Sequence, residues 1–176
     1  MASLRIIGLS VVAACLYGVV HDQITARICL EYFTIGHPRL VAANSPTIHG
    51  FLWGVIATWW VGLILGILLA AAARFGRPPK ISAAELLRPL CVLFLAAGTA
   101  AVIAGSFGHW LATRGDVQLA GLLATRVPVE QHVNFITAWW AHMASYAVGF
   151  LGGLVILVYV LLRRRAQRLV APPSAP

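Results

Sequence analysis

Charged side chains are scarce in this sequence. They make up 10% of its 176 residues, and only five of them are acidic, whereas about a quarter of the residues in a soluble domain are charged. A chain that is 60% hydrophobic has too few charges to cover a water-exposed surface. The composition therefore excludes an ordinary soluble domain and predicts an integral membrane protein.

Short metal-binding motifs are also missing. The three cysteines, Cys15, Cys29 and Cys91, do not form a Cys-x-x-Cys pair, and we interpret them as small apolar residues. Neither His-Glu-x-x-His nor Glu-x-x-His occurs. Any metal site must therefore be assembled from residues that are distant in the sequence.

What the sequence has instead is a set of long apolar runs. A helix needs about 20 residues to cross the hydrocarbon core of a bilayer, and four runs satisfy this length when flanking residues are included. We place the spans at approximately 4–21, 50–73, 88–111 and 133–162. The prediction is an all-α, integral membrane, four-transmembrane-helix antiparallel bundle. Residues 1–170 form its single domain, and residues 171–176 are expected to be a disordered tail.

The basic residues are distributed unequally between the two ends of this bundle. One end carries nine of them against the single acid Glu85: Arg5, Arg74, Arg77, Lys80, Arg88, Arg163, Arg164, Arg165 and Arg168. At the other end basic and acidic residues cancel. The positive-inside rule therefore predicts that both termini are cytoplasmic. We interpret the net charge of +8 as a topology signal that also contacts anionic lipid, and we expect no nucleic-acid partner.

Small residues recur every four positions in several spans. The first span has Ser10, Ala14 and Gly18, and the next position in this row is Asp22. The second span has a longer row: Gly50, Gly54, Thr58, Gly62, Gly66 and Ala70. Such rows let helices pack closely in lipid. They predict tight packing within the bundle, and they also leave open a homo-oligomer or a membrane-protein partner.

All six histidines and four of the five acidic residues fall at the end opposite the basic cluster. Ionisable groups at membrane depth are costly, so such a gathering indicates a functional site. The main candidates are His21, Asp22, Glu31, His37 and His142. Secondary candidates are His49, His109, His132, Glu130, Thr25 and Tyr146.

Imidazole nitrogen and carboxylate oxygen form the ligand set of Zn, Fe, Mn and Cu sites. The leading hypothesis is therefore a His/carboxylate site for a divalent transition metal. A second hypothesis is a b-type haem held by two histidines, such as His21 with His142 or His49 with His109, for electron transfer. A third is a subunit or assembly factor of a membrane complex without a cofactor. The sequence leaves open whether the protein is an enzyme.

Several short motifs resemble a family of small uncharacterised bacterial multi-pass membrane proteins. They are HDQxT from His21, EYFTxxHP from Glu31, WGVIATWW from Trp53 and AHxxSY from Ala141. The resemblance covers most of the chain. It implies a location in the bacterial inner membrane and implies no particular activity.

Overall fold

The computed structural model describes residues 1–170, so the predicted tail at 171–176 lies outside the described residues. Within 1–170 the chain is helical and contains no strand, which confirms the predicted all-α class. The helices are α1 (Ala2–Ile28), α2 (Glu31–Thr34), α3 (Pro46–Ile56), α4 (Trp59–Arg74), α5 (Ala83–Thr113), α6 (Gly121–Arg126) and α7 (His132–Val170). A 3₁₀ turn at Val129–Gln131 precedes α7.

The glycine row of the second span packs against α1. A Cβ atom at Gly50 would lie 2.8 Å from the backbone oxygen of Asp22, and one at Gly54 would lie 2.5 Å from the Cα atom of Val19. Gly62 and Gly66 meet α1 in the same way, nearer its N-terminus. As the residue numbers rise along α3 and α4 they fall along α1, so the two spans are antiparallel and touch backbone to backbone.

The second span is not continuous. Ala57 and Thr58 separate α3 from α4, and the hydroxyl of Thr58 donates a hydrogen bond to the carbonyl oxygen of Gly54. Gly18 of α1 lies directly against this break. Because glycine has no side chain, α1 can pack closely against the irregular segment at Gly18.

The helices α5 and α7 form a second antiparallel pair. A Cβ atom at Gly105 would lie 3.3 Å from Ala141, and a Cβ atom at Gly108 would lie 2.6 Å from the ring of Trp140. A polar layer separates the two buried apolar clusters of the bundle. One cluster, around Leu86 and Val160, lies at the basic end, and the other, around Phe33 and Phe135, lies at the histidine-rich end.

Arg164 holds the basic end together. Only 5% of this residue is exposed, and its guanidinium donates hydrogen bonds to four backbone carbonyls, of Ala72, Phe75, Arg77 and Pro79. The first two carbonyls lie at the C-terminus of α4, where helical carbonyls lack partners within the helix. Arg164 therefore caps α4 and ties the following loop to α7.

The outer surface of the bundle is apolar. Each of the four spans is long and apolar enough to cross a membrane, and each exposes large hydrophobic side chains, including Leu16, Phe51, Ile103 and Leu154. Such a surface requires a lipid environment. The protein is a multi-pass membrane protein with a four-helix architecture.

Candidate metal centre

The small-residue row of α1 leads directly to an acidic side chain. Ser10, Ala14, Gly18 and Asp22 are all buried, since residues four apart lie on one face of a helix. Asp22 is 6% exposed, and His142 of α7, which faces it, is 2% exposed. Two ionisable side chains from different spans therefore meet inside the bundle.

His142 is held on both sides of its ring. Its Nδ1 atom lies 2.7 Å from the carbonyl oxygen of Ala138, and its Nε2 atom lies 3.1 Å from Oδ1 of Asp22. A carbonyl oxygen only accepts hydrogen bonds, so Nδ1 must carry a hydrogen and donate it. The Nε2 to Oδ1 contact then needs one positive species between the two atoms, either a shared proton or a cation.

His21 completes the group. Its ring meets that of His142 edge-on, with 4.5 Å between the ring centroids. The Nε2 atom of His21 is buried and has no hydrogen-bond partner among the described residues. Nδ1 of His49 and Nε1 of Trp53 are likewise unpartnered, but His21 differs from both because it lies beside the His142–Asp22 pair. Since buried polar nitrogens are almost always partnered, Nε2 of His21 is available as a ligand atom.

Aromatic side chains cover the group from the histidine-rich end. The chain turns at Cys29 and Leu30, and α2 then places Tyr32 against His142, with 4.3 Å between the ring centroids. Phe33 packs edge-on against the same imidazole, and Phe135 packs against Tyr32. Burial raises the pKa of the Tyr32 hydroxyl. This cover keeps water away from Asp22 and His142, which strengthens electrostatic interactions at the site.

The sequence does not single out Tyr32 and Phe33 as site residues, although both belong to the EYFTxxHP motif. Hydrophobic pattern alone cannot show that α1 ends at Ile28. Without that end, the chain would carry Tyr32 away from α7. The turn that brings Tyr32 to His142 lies at Cys29 and Leu30. The helix-stopping residues Gly36 and Pro38 come after Tyr32 and do not mark this turn.

Two of the five main candidates lie outside the group. The carboxylate of Glu31 accepts a weak hydrogen bond from the Sγ atom of Cys29, at 3.5 Å. Burial, together with the nearby carboxylate, raises the pKa of the Cys29 thiol to about 12. The Nδ1 atom of His37 lies 2.8 Å from the carbonyl oxygen of Tyr32, and its ring packs at a tilt against Trp53. His37 therefore supports the aromatic cover rather than the Asp22 carboxylate.

The secondary candidates are placed separately. His49 is fully buried, and its Nε2 atom lies 2.8 Å from the carbonyl oxygen of Ala43. The Nε2 atom of His132 lies 3.0 Å from the carbonyl oxygen of Val127. Glu130 is exposed, and Thr25 donates its hydroxyl hydrogen to the carbonyl oxygen of His21. His109 contacts Thr137.

A second polar contact lies one turn below the group. The hydroxyl groups of Tyr17 and Ser145 are 2.6 Å apart and link α1 to α7. Tyr146 packs edge-on against His142 at 5.9 Å between ring centroids. Further along α7, Gly149 has no neighbour within 4 Å, whereas Gly153 meets Leu65 of α4.

The three central residues offer a ligand set for one ion. One ligand atom from each of His21, Asp22 and His142 can be chosen so that all lie within 4.8 Å of one another. Two ligands on a tetrahedral ion are about 3.4 Å apart, given bonds of about 2.1 Å, so closure needs side-chain shifts on the order of 1 Å. Three protein ligands leave a fourth position free for water or another molecule.

The fold and the site together define a multi-pass membrane protein with a buried His-Asp-His group at one end of a helical bundle. No family model, no curated protein and no solved structure matches the chain. The functional argument therefore depends on the geometry of this group.

Proposed function

We propose that the protein binds one divalent transition metal ion through His21, Asp22 and His142. The observation that carries this proposal is the unpartnered Nε2 atom of His21, beside a His142–Asp22 contact that itself requires a positive species. An ion bound by all three side chains gives Nε2 of His21 a partner and takes the place of the proton between His142 and Asp22. It also neutralises the carboxylate, which is costly to bury alone.

The ligand chemistry narrows the choice of ion. Two imidazoles and one carboxylate suit Zn²⁺, Fe²⁺, Mn²⁺ and Cu²⁺, and they disfavour Ca²⁺ and Mg²⁺, which prefer oxygen ligands. The carbonyl of Ala138 orients His142 through Nδ1, as backbone carbonyls commonly do for histidines that ligate metals. With its fourth position free, the ion can acidify a bound water or bind a substrate oxygen.

A b-type haem is a weaker proposal for this site. Two imidazoles on opposite faces of a haem iron have centroids about 6 Å apart, since each metal–nitrogen bond is about 2.0 Å. The rings of His21 and His142 are 4.5 Å apart and edge-on. This spacing favours a single ion over a porphyrin.

The partner hypothesis has less support than the sequence suggested. Gly50, Gly54, Gly62 and Gly66 all pack against α1 of the same chain, so this row needs no second protein. We retain as proposals a homo-oligomer or a partner subunit that packs on other faces.

We also propose a bacterial inner-membrane location, with both termini in the cytoplasm and the metal centre at the periplasmic end. The charge distribution supports this orientation, because the Arg164 end carries the excess of basic residues. Reporter fusions after Arg168 and within the loop around Asp116 test it. An outward-facing C-terminus would contradict it.

Metal analysis of the purified protein tests the central proposal. Protein purified without a histidine tag should carry about one transition metal per chain, and His142→Ala should lose it. The matched control is His132→Ala, which removes a histidine from the same helix but outside the group. A metal-free preparation that binds none of the four ions, and whose stability does not change on chelation, would contradict the proposal.

A further inference from the structure

A groove runs along the bundle between α1, α5 and α7 and passes the His-Asp-His group. It encloses about 380 Å³, within the range of small-molecule sites. His21 is part of its wall. The groove therefore leads from the surface of the bundle to the candidate metal centre.

Small residues on α5 leave this space open. The wall there contains Gly98, Ala101 and Gly105. A Cβ atom at Gly98 would have the Tyr17 ring as its nearest neighbour, at 3.9 Å, which is ordinary contact distance. A side chain at position 98 would thus extend into the groove without meeting backbone.

The groove opens toward lipid. Val20, Ile24 and Val102 line it, and each is more than half exposed on the outer surface of the bundle. Because that surface faces hydrocarbon, the groove admits molecules dissolved in the bilayer. A long tail bound there can continue into the lipid.

The charge of the wall limits what binds. Among the described residues that line the groove there is no Lys, Arg, Asp or Glu. A phosphate or carboxylate head would therefore find no fixed counter-charge along this largely apolar wall, which is unfavourable. An uncharged head fits the electrostatics.

The polar groups of the groove indicate which hydrogen-bonding group the head of the ligand carries. Thr137 donates its hydroxyl hydrogen to the carbonyl oxygen of Val133, at 2.8 Å. With the hydrogen of Thr137 so assigned, its oxygen accepts from Nδ1 of His109, 3.1 Å away. In the tautomer that carries its hydrogen on Nδ1, Nε2 of His109 is an acceptor. A ligand hydroxyl would satisfy it, and the hydroxyl of Ser106 lines the same groove.

We propose that this groove binds an uncharged lipophile with a single hydroxyl-bearing ring, of the phenol or quinol class, whose tail lies in the bilayer. His109 accepts the ring hydroxyl, and the ring lies against the small residues of α5. That this lipophile is the substrate of the metal centre rests on the proposed function. That it binds in the groove does not depend on metal and can be measured by itself.

The test uses 4-decylphenol, which is redox-inert, and the full-length protein in lipid nanodiscs. Equilibrium dialysis of radiolabelled 4-decylphenol, corrected with empty nanodiscs, should show saturable binding of one molecule per chain. Decylbenzene lacks the hydroxyl and decanoate carries a charge, so each should bind at least tenfold more weakly.

Two variants locate the site. Gly98→Leu fills the groove and should weaken binding at least tenfold, whereas Gly149→Leu adds the same side chain where no neighbour lies within 4 Å and should have no effect. His109→Leu should remove the preference for 4-decylphenol over decylbenzene. Metal content of every sample is measured in parallel and should be unchanged in Gly98→Leu.

The outcomes separate the two proposals. Non-saturable binding, equal binding of decylbenzene, preferred binding of decanoate, or binding unaffected by Gly98→Leu would each overturn the groove assignment, whatever the metal content. Saturable binding that Gly98→Leu abolishes, in a protein that never holds metal, would support the groove and contradict the metal centre.

Discussion

The Nε2 atom of His142 lies 3.1 Å from Oδ1 of Asp22, although the two residues are 120 positions apart in the sequence and belong to different spans. The Nδ1 atom of the same ring donates to its own helix, so the ring cannot turn away without losing a second hydrogen bond. The pair joins the two ends of the chain within the bundle. It is both a packing contact of α1 with α7 and the centre of the proposed site.

Removing either partner should destabilise the protein. Asp22→Ala or His142→Ala leaves a buried polar group without a partner, which costs about 1–3 kcal/mol. The double variant should lose less than the sum of the two, because no orphaned partner remains. Unfolding free energies of the metal-free protein in mixed micelles give this coupling. Additive losses would show that the two side chains do not interact.

Metal affinity should fall as the pH falls. The proton shared by His142 and Asp22 must leave when an ion takes its place, so metal binding releases about one proton. The apparent dissociation constant should therefore rise by about tenfold per pH unit of acidification over the range in which the pair holds that proton. Competition titrations with a chelator between about pH 5 and 8, where folded proteins tend to be most stable, measure this slope. A pH-independent constant would mean that the ion binds elsewhere.

The fold was predictable because its signals are local and repeated. Apolar runs of membrane-crossing length gave the four spans, and the row from Ser10 through Gly18 to Asp22 correctly indicated which face of α1 is buried. The antiparallel order then required His21 and His142 to lie at one end. The structure places both beside Asp22.

Composition and spacing could not predict where irregular backbone occurs. The chain leaves α1 at Cys29, and this turn decides that Tyr32 reaches His142 while Glu31 does not join the group. The break at Ala57 and Thr58 likewise leaves no mark in the hydrophobic pattern, because the helices on both sides of it are about equally hydrophobic. Such features depend on tertiary contacts, here the approach of Gly18 to the break.

A methyl group at Gly54 should separate α1 from α3. The added Cβ atom would lie 2.5 Å from Cα of Val19, so the backbones must move apart, and overpacking of this kind costs about 1–3 kcal/mol. Gly149→Ala is the matched control, since its Cβ atom meets nothing within 4 Å and alanine favours the helix. Thermal unfolding in detergent compares the two. Equal melting temperatures would show that α1 and α3 are not in backbone contact.

Arg164→Lys should loosen the basic end of the bundle, although it keeps the charge. The guanidinium of Arg164 donates to four carbonyls of α4 and its following loop, and a lysine ammonium has only three donors and no planar fork. At least one carbonyl then loses its partner, and because three of the four contacts are only partly buried we expect a cost of about 1 kcal/mol. Arg165→Lys is the matched control, because Arg165 is exposed on the same helix. Limited proteolysis at Arg77 should be faster in Arg164→Lys than in either the wild type or Arg165→Lys, and metal content should stay unchanged, since this contact lies at the opposite end from His142. Identical cleavage rates in all three proteins would show that the loop is held by other contacts.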